Sequence, residues 1–227
     1  TPENIKKEEN FIKTTEFDLG IVVAYGQIIP KSILESCKLG FINIHASLLP
    51  KYRGAAPIQR SLINLEKFTG ISFMKLNNVL DSGPIFNQYK IPINKTDNSE
   101  TLSKKLSELS AEKITQNIEL IFSNKATFVD QIHNEASYAE KIDKMEGEIN
   151  WNESALNILG KINGLFPNPG AWFEFKKERY KIVKSELSES IGKPGEVIDD
   201  LLTVACGKNS IRILEIQRQG KKVQNAS

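Results

Sequence analysis

The sequence predicts an α/β protein, a largely parallel sheet with helices against it, followed by a small β-barrel. Three observations carry that expectation. Short apolar runs ending at glycine or polar loops alternate with helical patterns over residues 20–121. Residues 125–150 then turn polar, with few large apolar side chains. From Trp151 onward one helical pattern is followed by several short strand patterns broken by turns, which suits an OB-type barrel. The expected division is 1–127, a linker at 128–150, and 151–227.

Residues 3–17 are charged and read as helix. Gly20-Ile-Val-Val-Ala-Tyr25-Gly26 reads as a buried parallel strand that stops at a loop. Pro30 suits the first turn of a helix carrying Ile33 and Leu34. Phe41–His45 is the next strand, and Arg53-Gly-Ala-Ala-Pro57 leads into a helix with Ile58, Leu62 and Leu65 on one side. Gly70–Leu76 and Pro84–Ile93 alternate as strands around a turn-rich loop, Asn77–Gly83. Asp97–Ser99 supplies cap residues for an amphipathic helix marked by Leu102, Leu106, Leu109, Ile114, Ile118 and Ile121. Beyond the polar stretch, Ala155–Ile162 is helix-like. Ala171–Phe175, Arg179–Lys184, Gly195–Val197, Leu202–Ala205 and Ser210–Gln217 are the short strands.

Composition excludes several classes. Hydrophobic residues make up 40% and charged residues 26%, ordinary for a globular protein, and a net charge of +2 gives no global pull toward nucleic acid. The basic excess, slight as it is, lies in residues 151–227. Cys37 and Cys206 give neither a disulfide framework nor zinc spacing, and they fit a reducing compartment, cytoplasm or organellar matrix. No apolar run reaches the roughly 20 residues that a membrane helix needs. Phosphate-loop, dinucleotide and nucleophile-elbow motifs are absent. No residue set suggests a metal site.

The chemistry concentrates at residues 41–54. Asn43 and His45 are two apart on a strand, so an amide and an imidazole project side by side, ahead of a Ser47-Leu-Leu-Pro50 loop. An amide N–H can hydrogen-bond a developing oxyanion, and an imidazole can do so or carry protons. Together they suit attack on a carbonyl. Asp81 alone reads as a turn aspartate before Ser-Gly, yet beside an imidazole it could take protons from an attacking amine. Ser47, Leu48, Leu49 and Pro50 could line a slot for a planar heterocycle, or form a plain loop with its leucines turned inward. Arg53 could hold an anion or brace a loop. His133 reads as a solvated side chain. Lys176, Lys177, Arg179, Lys181 and Lys184 crowd one hairpin-like segment, with Arg212 and Arg218 later. Interleaved Glu174, Glu178 and Glu186 leave a plain solvated face as the alternative.

Asn43-Ile-His45-Ala-Ser-Leu-Leu-Pro50, then Arg53-Gly54, then Asp81-Ser-Gly83, resembles the signature of the folate-dependent formyltransferases. Within that family, Val22-Val-Ala-Tyr25-Gly26, Arg53–Leu62 and Tyr138–Ile142 leading to Ile149-Asn-Trp151 are most similar to the members that act on methionyl-tRNA. The resemblance runs over almost the whole chain and is strongest across 20–85. Ala46 departs from the usual glycine, and Ser82 stands for the usual threonine. The resemblance implies a Rossmann-like sheet and an OB-like C-terminal domain. It implies formyl transfer from 10-formyltetrahydrofolate to the α-amine of initiator methionyl-tRNA, in a monomer away from membranes. Asn43, His45 and Asp81 would be catalytic. Ser47–Pro50, with Tyr25 and Gly26, would contact the folate, and the basic C-terminal residues would contact tRNA. It also implies family strands and a basic loop ahead of Thr1, and a chain truncated at both ends. The runner-up readings are an aminosugar formyltransferase using the same donor and a non-catalytic tRNA-binding fragment.

Overall fold

A computed structural model describes residues 2–226, which group into two compact units. One comprises residues 1–57, 68–92 and 104–141; the other comprises 58–67, 93–103 and 142–227.

The first unit is built on a four-stranded sheet. Its strands are β1 (Gly20–Val23), β2 (Phe41–His45), β4 (Phe68–Lys75) and β5 (Ile85–Pro92), in the order β1-β2-β4-β5. A two-residue strand, β3 (Arg53–Gly54), precedes β4 in the chain and pairs instead with β6 (Tyr138–Ala139). β1 and β2 are parallel, with Val22 beside Asn43. The sheet departs here from the largely parallel expectation, because β4 runs antiparallel to both β2 and β5. Residues 76–84 join β4 to β5 with no crossover helix, and a parallel neighbour needs a connection of a dozen or more residues. The N-terminal helix is also shorter than expected: a 3-10 turn at Ile5–Glu8, then α1 (Glu9–Thr14). α2 (Lys31–Leu34) follows β1 and buries Ile33 against Ile29 and Phe41.

Strand alternation sorts β2 into two faces. Ile42 and Ile44 meet Phe73 of β4 and Ile114, Ile118 and Ile121 of the long helix α4 (Ser99–Phe122) around an apolar hollow. Phe73 is fully buried there, a contribution of about 1.5–3 kcal/mol for a side chain of that size. Asn43 and His45 are thereby turned to the opposite face. Their cross-strand partners on β4 are Met74 and Ser72.

In the second unit, α3 (Pro57–Ile63) contributes from Ile58 onward, and α5 (Ala155–Leu165) is capped by Ser154, whose side chain accepts from the Asn157 N–H. Ala155, Ile158, Ile162 and Leu165 lie along one helical stripe, all buried. Against it curls an antiparallel half-barrel sheet: β7 (Ala171–Phe175), β8 (Glu178–Ser188), β9 (Thr203–Ala205), β10 (Ser210–Arg218) and β11 (Gln224–Asn225). Ile182, Val204, Ile211 and Ile213 fill its core. The strand expected at Gly195–Val197 reduces to a single bridge, Val197 to Val204. Among the described residues no helix is long and apolar enough to cross a membrane.

Candidate active site

His45 ends β2 and is 6% exposed. Its Nε2 lies 2.8 Å from the Tyr52 carbonyl oxygen. A carbonyl only accepts, so Nε2 carries the proton and donates. Nδ1 therefore points the other way, 3.7 Å from Asp81 Oδ2. The structure thus brings together a strand end and a turn that lie 36 positions apart in the sequence. Asn43 is half-buried one pleat earlier on the same face. Among the described residues no protein group bonds its amide.

Asp81 is held from several sides. Its Oδ2 accepts from the Gly54 N–H at 2.8 Å. Gly54 has φ +110°, a conformation open to glycine, and that turn aims its N–H at the carboxylate. Asp81 itself has φ +46°, in the left-handed region that costs a non-glycine residue energy. Upstream, the Asn77 side chain accepts from the Val79 N–H and the Ser82 hydroxyl, which folds the loop tightly. Gly83 lets that loop close: a Cβ there would sit 1.8 Å from the Lys75 carbonyl oxygen.

Sequence reasoning missed Gln131. Its side chain is 6% exposed, and its Nε2 donates to the Asp81 and Gly83 carbonyls at 2.9 and 2.8 Å. Its Oε1 accepts from Arg53 Nε at 3.0 Å and Nη2 at 2.6 Å. Arg53 is 2% exposed and also donates to His133 Nδ1 at 3.2 Å. Arg53 therefore braces loops, and His133, although exposed, is bonded rather than merely solvated. No residue spacing announces it: the antiparallel bridge of Val129 with Ile85 and the pairing of β3 with β6 bring the polar stretch after α4 beside Gly83 and Arg53.

The Ser47–Pro50 loop is also fixed from behind. Ser72 Oγ donates to the Ser47 carbonyl at 2.6 Å and accepts from the Leu49 N–H at 3.0 Å. Gln88 Nε2 donates to the Leu49 carbonyl and to Ser72 Oγ, both at 2.8 Å. Ser47 Oγ donates to the Lys51 carbonyl at 2.6 Å. Leu49 is buried, while Leu48 is half-buried with its Cδ2 packed over Gly70. Tyr25 and Gly26 follow the end of β1, whose Val23 is in register with Ile44. They lie at the carboxyl end of the parallel pair, the end at which open α/β sheets bind ligands. Tyr25 packs on the cluster of Ile29, Ile33 and Phe41.

The basic residues of the C-terminal sheet are distributed differently. Lys176 and Lys177 form the exposed β7–β8 turn, and Lys184 is exposed on β8. The Arg179 guanidinium lies 3.6 Å over the Trp172 ring, and Lys181 Nζ reaches the Pro167 carbonyl. Arg212 pairs with Glu186 at 3.3 Å, and Arg218 pairs with Glu178. Burial pushes the Cys206 thiol up to about 11, so it is no nucleophile at neutral pH. Among the described residues no cluster of His, Cys, Asp and Glu could hold a metal ion.

Comparison with known proteins gives a consistent result. The family described as formyl transferase matches residues 3–139, and its C-terminal domain matches 141–227. A protein of Pelagibacter ubique named methionyl-tRNA formyltransferase is 59% identical over 99% of this chain and 74% of its own length. One of the same name from Thermodesulfovibrio yellowstonii is 47% identical with the same coverage of both chains. Among solved structures, HypX from Aquifex aeolicus in complex with tetrahydrofolic acid superposes with a TM-score of 0.72. That likeness covers 92% of this chain but 37% of the other, and at 16% identity it speaks for the fold alone.

Proposed function

We propose that this chain, which belongs to the formyl transferase family, moves a formyl group from 10-formyltetrahydrofolate to the α-amino group of methionyl-tRNA. The observation that carries the reading is the approach of His45 to Asp81, on the sheet face that Asn43 shares. The two relatives with the methionyl-tRNA name favour this acceptor over an aminosugar.

The nucleophile is the neutral α-amine, whose reference pKa of about 7.7–8.0 leaves a usable neutral fraction. As its nitrogen bonds the formyl carbon, the carbonyl electrons move to oxygen. Asn43 N–H groups and a protonated His45 donate to that oxyanion, and one such donor is worth about 2.7–4 kcal/mol. Because Nε2–H is already given to Tyr52, the nitrogen left for the reaction is Nδ1. Asp81 accepts the proton that the amine loses, directly or through water. When the intermediate collapses, the bond to the folate nitrogen breaks and that nitrogen takes up a proton from His45 Nδ1–H or from water, which Asp81 replenishes with the proton taken from the amine.

The folate slot is assigned to Ser47, Leu48, Leu49 and Pro50 with Tyr25 and Gly26. The bonds from Ser72 and Gln88 support this, because they hold the loop in place before a ligand arrives. For tRNA, Lys176, Lys177, Arg179, Lys181, Lys184, Arg212 and Arg218 are assigned to phosphate contact. The exposed lysines lead, since Arg212 and Arg218 already have carboxylate partners. In domain terms, 1–127 is a Rossmann-like transfer domain, 128–150 the connection and 151–227 an OB-like barrel for tRNA.

The test is a formylation assay with labelled 10-formyltetrahydrofolate, methionyl-tRNA and, in parallel, a nucleotide-linked aminosugar. Label should appear on methionyl-tRNA. Label on the sugar alone, or on neither acceptor, would overturn the assignment.

A further inference from the structure

We propose that Gln131 is a positioning residue for the transfer, holding the Asp81 turn at its working distance from His45; this rests on the formyl-transfer reading above. The side chain is 49 residues beyond Ser82 in the chain and touches neither His45 nor the Asp81 carboxylate in the bonds described. Its action is on the backbone that carries the carboxylate.

Its orientation is fully determined. A guanidinium only donates and a backbone carbonyl only accepts, so Oε1 must face Arg53 and Nε2 must face Asp81 and Gly83. All hydrogen-bonding capacity of the two Nε2–H groups goes to two carbonyls that bracket Ser82. Those bonds hold a turn whose Asp81 sits at φ +46°, a backbone state that persists only where its surroundings fix it. The Gly54 N–H fixes the far end, at Oδ2. Backbone and carboxylate are thus pinned independently, and His45 Nδ1 lies 3.7 Å from the result. Arg53, bonded through two nitrogens, keeps the amide from rotating.

Two substitutions separate positioning from simple bracing. Gln131→Glu keeps acceptors for Arg53 but sets a carboxylate oxygen against two carbonyls. Gln131→Met keeps the length and removes every bond, and it serves where the Glu variant does not fold. Misplacing a reacting group by about 1 Å can cost about 10²-fold in rate, so kcat should fall about 10- to 100-fold in each. KM for both substrates should stay within about 3-fold, since nothing that binds them uniformly has changed. In an Asp81→Asn background, adding Gln131→Glu should change kcat by less than about 2-fold, because its effect passes through Asp81. A crystal structure of Gln131→Glu should show Oδ2 of Asp81 moved from His45. Unchanged kcat in Gln131→Glu, losses that multiply in the Asp81→Asn background, or an unmoved turn would each overturn the proposal. If the unsubstituted protein formylates nothing, the functional reading fails instead, and the crystal structure still decides the role of Gln131.

Discussion

The corner that holds His45 and the basic face of the C-terminal sheet are both rich in charged and polar side chains, yet they are built on opposite terms. In the corner, Arg53, Gln131 and His45 are almost wholly buried, and their hydrogen bonds run to one another and to nearby backbone. A buried donor that loses its partner costs about 1–3 kcal/mol, so each bond there enforces the next. On the C-terminal face, Arg218 meets Glu178 in open contact with solvent, and Arg212, half-buried with an unpartnered Nε, reaches the exposed Glu186. Exposed pairs of that kind are worth about 0–1 kcal/mol. The first arrangement fixes the place of each group through buried bonds. The second leaves charges that can be traded for phosphate oxygens at little cost.

The sharpest break of this comparison is His45→Ala. A proton-transferring group is worth about 10²- to 10⁴-fold, so transfer should collapse by that order while folate still binds. Folate is assigned to the 47–50 loop, which is held by Ser72 and Gln88 and not by the imidazole. Turnover near that of the unsubstituted protein would make His45 a structural residue and remove the main contrast between the two regions.

Next in size is Gly83→Ala. The added methyl would lie 1.8 Å from the Lys75 carbonyl, so the backbone must move. Overpacking of this kind costs about 1–3 kcal/mol, read as a lowered denaturant midpoint, and the shifted turn should lower activity as well. The same change at exposed Gly220, where a Cβ would meet nothing within 4 Å, still has φ +72° against it but no clash. A larger loss at 220 than at 83 would mean that the corner is not tightly packed.

Much of this contrast was legible in the residues. The Asn43-x-His45 spacing on a strand determined which two side chains share a face, and alternation placed Ile42 and Ile44 on the other. The resemblance brought Asp81 to the same site. What could not be read was whatever depends on bonds between distant segments. Gln131 looks like one polar residue among many in a polar stretch, and the bridge of Val129 with Ile85 and the pairing of Arg53 with Tyr138 bring it into the corner. Sheet direction failed for a related reason. Asn77–Gly83 read as a turn-rich loop, but strand–helix alternation elsewhere outweighed what such a short connection means for strand direction. On the C-terminal face the basic cluster was visible, while the glutamates that neutralise part of it were visible only as interleaving.

That face supplies the third prediction. Changing Lys176, Lys177 and Lys184 to Gln should weaken tRNA binding and flatten its salt dependence, by up to about 0.9 in slope for each duplex phosphate no longer neutralised. Thermal stability and folate affinity should hold, because these exposed lysines have no place in the core. An unaltered salt slope would move tRNA to another surface and leave the loose arrangement without a function.

The smallest expected effect lies between the two extremes. Arg60 donates to both oxygens of Glu146, at 2.5 and 3.0 Å, in a pair that is partly open to solvent. The bonded guanidinium holds the Glu146 carboxyl below the usual carboxylate range; burial works against it, and the Asp143 N–H adds to the lowering. A carboxylate whose folded pKa is depressed contributes stability above its unfolded value, about 4.3, and loses it as pH falls through the folded value. The side chain is 36% exposed, so solvent screening keeps the contribution under about 1 kcal/mol. Glu146→Gln should therefore be slightly less stable than the unsubstituted protein at pH 7. The gap should begin to narrow as pH falls below the unfolded value and close once pH has passed through the lowered folded value, below which both carry a neutral group. Urea midpoints measured at pH 7, 5 and 3 would resolve it. A gap that does not narrow at all between pH 7 and pH 3 would place Arg60–Glu146 with the buried corner, as a pair valued for its geometry and not for its charge.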